Sequence, residues 1–187
     1  RRRDPEPPYH LYSIDGREQG VFGIPLPPNK NALISAGPHS TVWGFTPEDY
    51  TISLYNAHGA QTRTLHRSDF VPANISKPKS SYVVDVRQNA NVLWVLSHTI
   101  DASKLPQTQP RRDGRPIPFT PGQFSRFVTS RIDVVDLDKN QLLISAVSPR
   151  VLNGFADDRH FFAYRELDNG VIVIDIWRVE LFQPNNR

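Results

Sequence analysis

The chain consists largely of short apolar segments in which hydrophobic and polar residues alternate at every second position. In YTISLYN, residues 50–56, Ile52 and Leu54 lie on one side of an extended chain. Thr51 and Ser53 lie on the other side. This period of two is typical of a β-strand with one buried face. No segment keeps an apolar period of 3.6 residues for three turns, and the pattern therefore predicts an all-β fold.

Ten segments share this character and are rich in β-branched and aromatic residues. Turn-forming sequences such as His58-Gly59 and Asp168-Asn169-Gly170 separate them, which predicts antiparallel hairpins. In the first of these turns, we expect Gly59 to take a positive φ at little cost. The ten predicted strands are residues 32–36, 41–45, 50–56, 62–66, 82–86, 91–96, 131–137, 141–147, 160–166 and 171–182.

An internal repeat organises these strands. LYSIDG at residues 11–16 returns 43 residues later as LYNAHG at residues 54–59. Trp43, Trp94 and Phe162 occupy equivalent strands of successive units. We expect Trp43, Trp94 and Trp177 to be core or blade-packing aromatics. A period near 43 residues with four strands per period is typical of a β-propeller blade. The predicted units are a half blade at 9–25, a blade at 31–68, a blade at 81–147 and a final blade at 151–182.

Several segments resemble a known family of propellers. They are HLYSIDGREQGVFG, VWGFTPEDYTISLYNAHGAQTRTLHR, VLWVLSH, RIDVVDLDKNQLLIS and HFFAYRELDNGVIVIDIWRVEL. The sequence resembles the C-terminal half of an NHL-like or TolB-like six-bladed β-propeller, of the kind found in bacterial extracytoplasmic proteins. The resemblance implies a partial β-propeller of about three four-stranded antiparallel blades and a periplasmic or extracellular location. It implies no particular reaction, because one fold supports many functions.

About three blades do not close a ring, since the first and last sheets would leave edges and faces uncovered. The chain also starts with RRRDPEPP and contains no Met, so we expect a processed or truncated product. An absent N-terminal half is the favoured interpretation of the missing blades. Two copies that complete a six-bladed ring, and a partial propeller supported by partners, are the alternatives.

The repeat is interrupted by a long insertion at residues 98–128, which splits the blade at 81–147 and contains five prolines. Long connections without regular structure are often functional, and Arg and aromatic residues are favoured at protein interfaces. We therefore expect the insertion to contact a protein partner. The candidate partner-binding residues are Arg111, Arg112, Arg115, Phe119, Phe124 and Phe127.

Composition and charge further limit the classes of function that the chain can have. The formal charge is +3, from 22 Lys and Arg against 19 Asp and Glu, and the basic residues are scattered apart from two short clusters. This distribution does not predict nucleic-acid binding, which requires a dense basic surface. No run of about 18 apolar residues predicts a transmembrane segment. The absence of cysteine excludes disulfides, thiolate metal sites and cysteine nucleophiles.

One segment partly matches a metal-binding motif. Asp136 to Asn140 has the D-x-D-x-N start of a calcium loop, but Gln141 and Val147 replace its glycine and its bidentate glutamate. We therefore predict a plain turn between two strands. The six histidines match no recognised ligand spacing, and no nucleophile elbow or phosphate-binding loop is present.

The alternative function is that of a calcium-dependent propeller hydrolase of the lactonase kind, or of a protein that binds a small ligand in the channel. Such hydrolases hold calcium in the central channel with carboxylate and amide oxygens, and Asp85, Asn153 and Asp157 lie near the strands that would supply them. The sequence favours a non-catalytic β-propeller scaffold or accessory subunit without a cofactor. Its partners would be other protein subunits, in one version those of a larger membrane-associated complex.

Overall fold

A computed structural model of the chain describes residues 9–12, 17–22, 33–70, 79–105 and 119–180. These residues form antiparallel β-sheets with one short α-helix, which confirms the predicted all-β class. No sheet among them closes on itself, and none of their helices is long and apolar enough to cross a membrane.

The strands belong to four sheets, which we call A, B, C and D. Sheet A is β1 (Tyr9–Tyr12) and β2 (Glu18–Phe22). Sheet B is β3 (Leu33–Ala36), β4 (Val42–Thr46), β5 (Thr51–Tyr55) and β6 (Gln61–His66). Sheet C is β7 (Lys79–Asn89), β8 (Val92–Asp101), β9 (Val128–Asp136) and β10 (Gln141–Val147). Sheet D is β11 (Gly154–Phe155), β12 (His160–Glu166) and β13 (Ile172–Arg178).

Strands that follow one another in the sequence are hydrogen-bonded neighbours in every sheet, as the hairpin pattern predicts. The second and third strands of sheet C are longer than predicted. Ile100 pairs with Val128 and Thr99 with Thr129, so the start of the predicted insertion at 98–128 is strand. The connection that leaves the sheet therefore begins after Asp101 and ends before Val128.

The repeated LYNAHG segment forms the turn between β5 and β6. Gly59 has φ 76°, which confirms the predicted positive value. The Asn56 side chain accepts hydrogen bonds from the backbone N–H groups of His58 and Ala60, both at 3.0 Å. Asn56 and Gly59 thus maintain a hairpin. In the earlier copy, residues 13–16 lie outside the described part of the chain.

The central strands of sheet C are covered on both faces, because alternate residues of β8 enter two different cores. Leu93 and Val95 pack with Trp43, Ile52 and other residues of sheet B. On the opposite face, Trp94 and Leu96 pack with Phe161 and other residues that precede or belong to sheet D. The near-continuous apolar sequence VLWVL is typical of a strand with two buried faces. Sheets B, C and D consequently form a stack with two hydrophobic layers.

A β-bulge in β7 directs a carboxylate towards sheet D. The register of β7 against β8 shifts between Val83 and Asp85, so one extra residue separates them. Val83 remains in the core shared with sheet B. Asp85 is turned to the other face, where its carboxylate accepts the backbone N–H of Phe155 at 3.0 Å. Burial raises the pKa of Asp85, and the hydrogen bonds from Phe155 and Val86 oppose that rise.

A second carboxylate connects sheet C to sheet B. Asp133 is completely buried, and its Oδ2 accepts hydrogen bonds from the Tyr50 hydroxyl at 2.9 Å and from the Arg67 guanidinium. Its Oδ1 accepts the Ser145 hydroxyl at 2.6 Å. Burial, with the negative charge of Asp133, raises the pKa of the Tyr50 phenol. The carboxylate is therefore fully hydrogen-bonded, as a buried charge requires.

A buried histidine provides the corresponding link to sheet D. His98 is 3% exposed, and its Nε2 lies 2.6 Å from the Leu152 carbonyl oxygen. A carbonyl only accepts hydrogen bonds, so Nε2 carries the proton and Nδ1 accepts the Tyr82 hydroxyl at 2.9 Å. The Ser130 hydroxyl accepts the Leu152 N–H at 2.8 Å. Both backbone polar groups of Leu152 are thereby bonded to sheet C.

Replacing Asp133 with Ala should destabilise the fold by about 3 kcal/mol, because the substitution leaves the Tyr50 hydroxyl and the partly buried Arg67 without their shared acceptor. The change is measured by denaturant unfolding of the wild-type and variant chains. Asp69→Asn is the matched control, since Asp69 binds the same guanidinium from an exposed position. A control as destabilised as Asp133→Ala would contradict the role assigned to the buried carboxylate.

The His98 site should make the fold sensitive to mild acid. Burial lowers the pKa of His98 below its ordinary value of 6.5, so the folded chain favours the neutral ring. The unfolded chain takes up a proton as the pH falls through 6.5, and stability is therefore lost from that pH downwards. Unfolding midpoints measured between pH 7.5 and 5 should fall for the wild type and change less for His98→Gln. His66→Gln, at an exposed residue of β6, controls for the replacement of a histidine as such. A flat wild-type profile would refute the assignment.

Candidate partner-binding surface

The structure brings together the three predicted phenylalanines of the insertion. The Phe119 and Phe127 rings are 4.8 Å apart and the Phe124 and Phe127 rings 5.5 Å apart, both edge to face. Phe127 is buried, at 4% exposure, so it supports the other two rings and offers no surface of its own. Phe119 is 36% exposed. The predicted Arg111, Arg112 and Arg115 lie outside the described residues.

A single helical turn fixes the position of Phe124. Helix α1, Pro121–Phe124, starts at Thr120, whose hydroxyl accepts the Gln123 N–H, while the Gln123 side chain accepts the Thr120 N–H. This reciprocal capping box, with proline in the first turn, defines the start of the helix. The Phe124 ring then lies 6.0 Å from the buried His98 ring. The end of the insertion is therefore attached to sheet C.

A groove of about 360 Å³ separates this turn from sheet D. Aromatic rings line both of its walls: Phe119 and Phe124 on the side of the turn, Tyr164 and Trp177 on the side of the sheet. The Arg150 guanidinium lies 5.8 Å from the centre of the Trp177 ring, within the range of a cation–π contact. Trp177 is 39% exposed, so it lies outside the core to which Trp43 and Trp94 belong.

An ion pair crosses sheet D beside the groove. Arg165 donates to both carboxylate oxygens of Asp175, at 2.7 and 3.0 Å. The hydrogen bond from Arg165 is the main reason that the pKa of Asp175 lies below its ordinary value. Both side chains are solvent-accessible, so the pair organises the groove wall and adds little stability.

The far side of sheet D is an exposed apolar surface, which we call the outer face. Ile172, Ile174 and Ile176 are 56, 59 and 58% exposed and lie on one side of β13. In the register with β12, Tyr164 pairs with Ile174 and Phe162 with Ile176, which places both rings on the same side. Tyr164 is 45% exposed. Contiguous apolar surface of this kind on a folded domain usually marks an interaction site.

Opposite charges flank the outer face at its two ends. Glu166 pairs with Ile172 at one end, and Arg178 pairs with His160 at the other. Both follow the alternation of the isoleucines, and Glu166 also lines the groove beside Gly122 of α1. Arg178 also binds Glu180 at 2.9 Å, with both side chains about half exposed.

At the opposite end of the stack, the face of sheet B that lies away from sheet C is buried. Val42 and Tyr55, which pair across sheet B on the side away from sheet C, are 5 and 4% exposed. Ser53, on the same side, is 7% exposed. The central strands of sheet B thus have no open face.

A second exposed apolar group lies on the edge strand β10 of sheet C and consists of Leu142, Leu143, Ile144 and Val147.

The candidate metal residues are each engaged in local structure. The Asp136 carboxylate accepts the backbone N–H groups of Asp138 and Lys139, which confirms the predicted turn. Asn153 accepts the Tyr164 N–H, and Asp157 binds His160. Across the described ranges, no three His, Asp or Glu side chains converge on a point that could hold a metal ion.

Sequence reasoning found the phenylalanine cluster but missed the outer face. The segment VIVIDIW reads as apolar at nearly every position, which is typical of a strand buried on both sides. One signal was available: charged Asp175 interrupts only one of the two alternating sets, so the set of Ile172, Ile174 and Ile176 is continuous. Alternation identifies such a set, but whether another element covers it depends on the tertiary structure.

Comparison with known proteins identifies no relative: no protein-family model matches the chain, and no curated protein matches it. The resemblance to NHL-like and TolB-like propellers consequently remains a prediction from the sequence.

Proposed function

We propose that this chain is a non-catalytic scaffold of the β-propeller type that works by protein–protein contact, and that the outer face of sheet D is its main contact surface. The observation that carries the proposal is the exposure of Ile172, Ile174 and Ile176, each more than half open to solvent on a single strand. Removing such side chains from water contributes about 25 cal/mol per Å² of apolar area, which favours association.

The arrangement of the sheets supports the propeller type. Sheets B and C each contain four antiparallel strands in chain order, and sheet C packs on both neighbours through apolar layers. Successive blades of a propeller pack in this manner. In such an arrangement the outer face of sheet D is where the next sheet would lie.

The groove beside the outer face adds a second contact region. Phe119, Tyr164, Trp177 and Arg150 are of the residue types that are enriched at protein interfaces. Tyr164 belongs to both surfaces, so one partner could contact the outer face and the groove together. An accessory subunit held on a larger assembly would use such an extended surface.

Site-specific photo-crosslinking tests this function. A photoreactive residue in place of Ile174 should give discrete protein adducts, identified by mass spectrometry, because the side chain lies at the centre of the outer face. The same residue in place of the exposed Lys139, at the turn between β9 and β10, should give few adducts. Ile172→Ser with Ile176→Ser should suppress the adducts at position 174 without changing the unfolding midpoint by more than a few degrees. No adduct at position 174, with another copy or with another protein, would overturn the proposal.

A further inference from the structure

The outer face of sheet D is self-complementary. Its centre lies between the Tyr164–Ile174 pair and the Phe162–Ile176 pair. At one end Glu166 pairs with Ile172, and at the other end Arg178 pairs with His160. When a second copy is rotated by a half-turn and placed against this surface, the apolar residues of the two copies meet and each charged end meets the opposite charge.

We propose that two copies of this chain pack outer face against outer face, across a twofold axis that passes midway between the levels of Ile174 and Ile176. The inference rests on the proposed function and specifies its partner as a second copy. The strands of the two sheets run antiparallel in this arrangement, within about 30° of each other as in other aligned sheet pairs. Glu166 of each copy then faces Arg178 of the other.

The twofold arrangement follows from the asymmetry of the stack. A head-to-tail assembly would need the face of sheet B that lies away from sheet C to receive sheet D of the next copy. Val42, Ser53 and Tyr55 on that face are already buried. In the proposed dimer both copies use the same surface, which makes the contact isologous and closes the assembly at two copies. Twofold dimers of this kind are the commonest soluble oligomers.

The contact also continues the packing found inside the chain. Trp94, Leu96 and Phe161 meet between sheets C and D in a layer of aromatic and aliphatic side chains. The outer face presents Phe162, Tyr164 and three isoleucines, which can form a layer of the same kind. Two sheets in such contact lie about 10 Å apart and exclude water between them.

The mass of the chain in solution is the first test. Light scattering over a concentration series should give twice the 21.3 kDa of the chain and a reversible fall towards that value on dilution. Ile174→Asp should weaken dimerisation by tenfold or more, since it places two unpaired carboxylates in the dry centre of the contact. Leu143→Asp, at an exposed residue of β10, is the matched control and should leave the dimer intact. Circular dichroism verifies that both variants are folded.

A charge exchange tests the antiparallel alignment. Glu166→Arg alone and Arg178→Glu alone should each weaken the dimer several-fold, because each places like charges opposite one another. The double variant should restore dimerisation, since the exchanged charges again oppose each other. A double variant weaker than both single variants would overturn the alignment.

The lack of cysteine in the chain permits a direct measure of proximity. Ile174→Cys carries a unique thiol that a short bismaleimide should link to the same thiol of the second copy, whereas Leu143→Cys should not be linked. A monomer at all concentrations, or a dimer abolished by Leu143→Asp and not by Ile174→Asp, would overturn the inference. If the chain is monomeric but position 174 crosslinks to a different protein, the proposed function stands and the second copy is excluded.

Discussion

The burial of both faces of β8 is the constraint on which the rest of the architecture depends. Leu93 and Val95 require sheet B, while Trp94 and Leu96 require sheet D and the segment before it. One alternating set of β8 side chains therefore positions sheet B, and the other set positions sheet D. A half-covered sheet C would expose one of these sets to water, at a cost of about 2 kcal/mol for each large side chain. The three sheets are therefore energetically coupled through their central member.

Apolar layers alone do not fix how one sheet is aligned on the next, and buried polar groups supply this alignment. Asp133 binds Tyr50 and Arg67 of the first neighbour. His98 binds the Leu152 carbonyl, next to the other neighbour. A sliding movement of either sheet would break hydrogen bonds whose partners lie out of reach of water. Hydrogen bonds of this kind add modest net stability but strongly disfavour alternative alignments, because an unpaired buried group is costly.

Much of the sheet structure could be predicted from the sequence because it depends on local patterns. Period-two alternation located the strands, and the His58-Gly59 turn identified a hairpin that the φ of Gly59 bears out. The links between sheets could not be predicted in this way. Tyr50 and Asp133 are 83 residues apart, and no local pattern relates them. The same limit applies to the candidate surface, since the exposure of Ile174 depends on what lies above sheet D and not on its neighbours in the sequence.

The bulge in β7 has an evolutionary consequence. The bulge adds one residue between Val83 and Asp85. Odd-numbered positions before it and even-numbered positions after it therefore face the same side of the sheet. A strand of the same sequence without the bulge would instead place Asp85 in the hydrocarbon layer beside sheet B and Val86 towards sheet D. Loss of the bulged residue would keep Asp85 and Val86 on their present faces, whereas a single-residue insertion or deletion elsewhere in the strand would reverse the positions that follow it. Such changes should therefore be rare among descendants of the same gene. The bulge thus sets which residues of β7 face each core, and we expect the parity of the strand on either side of it to stay constant.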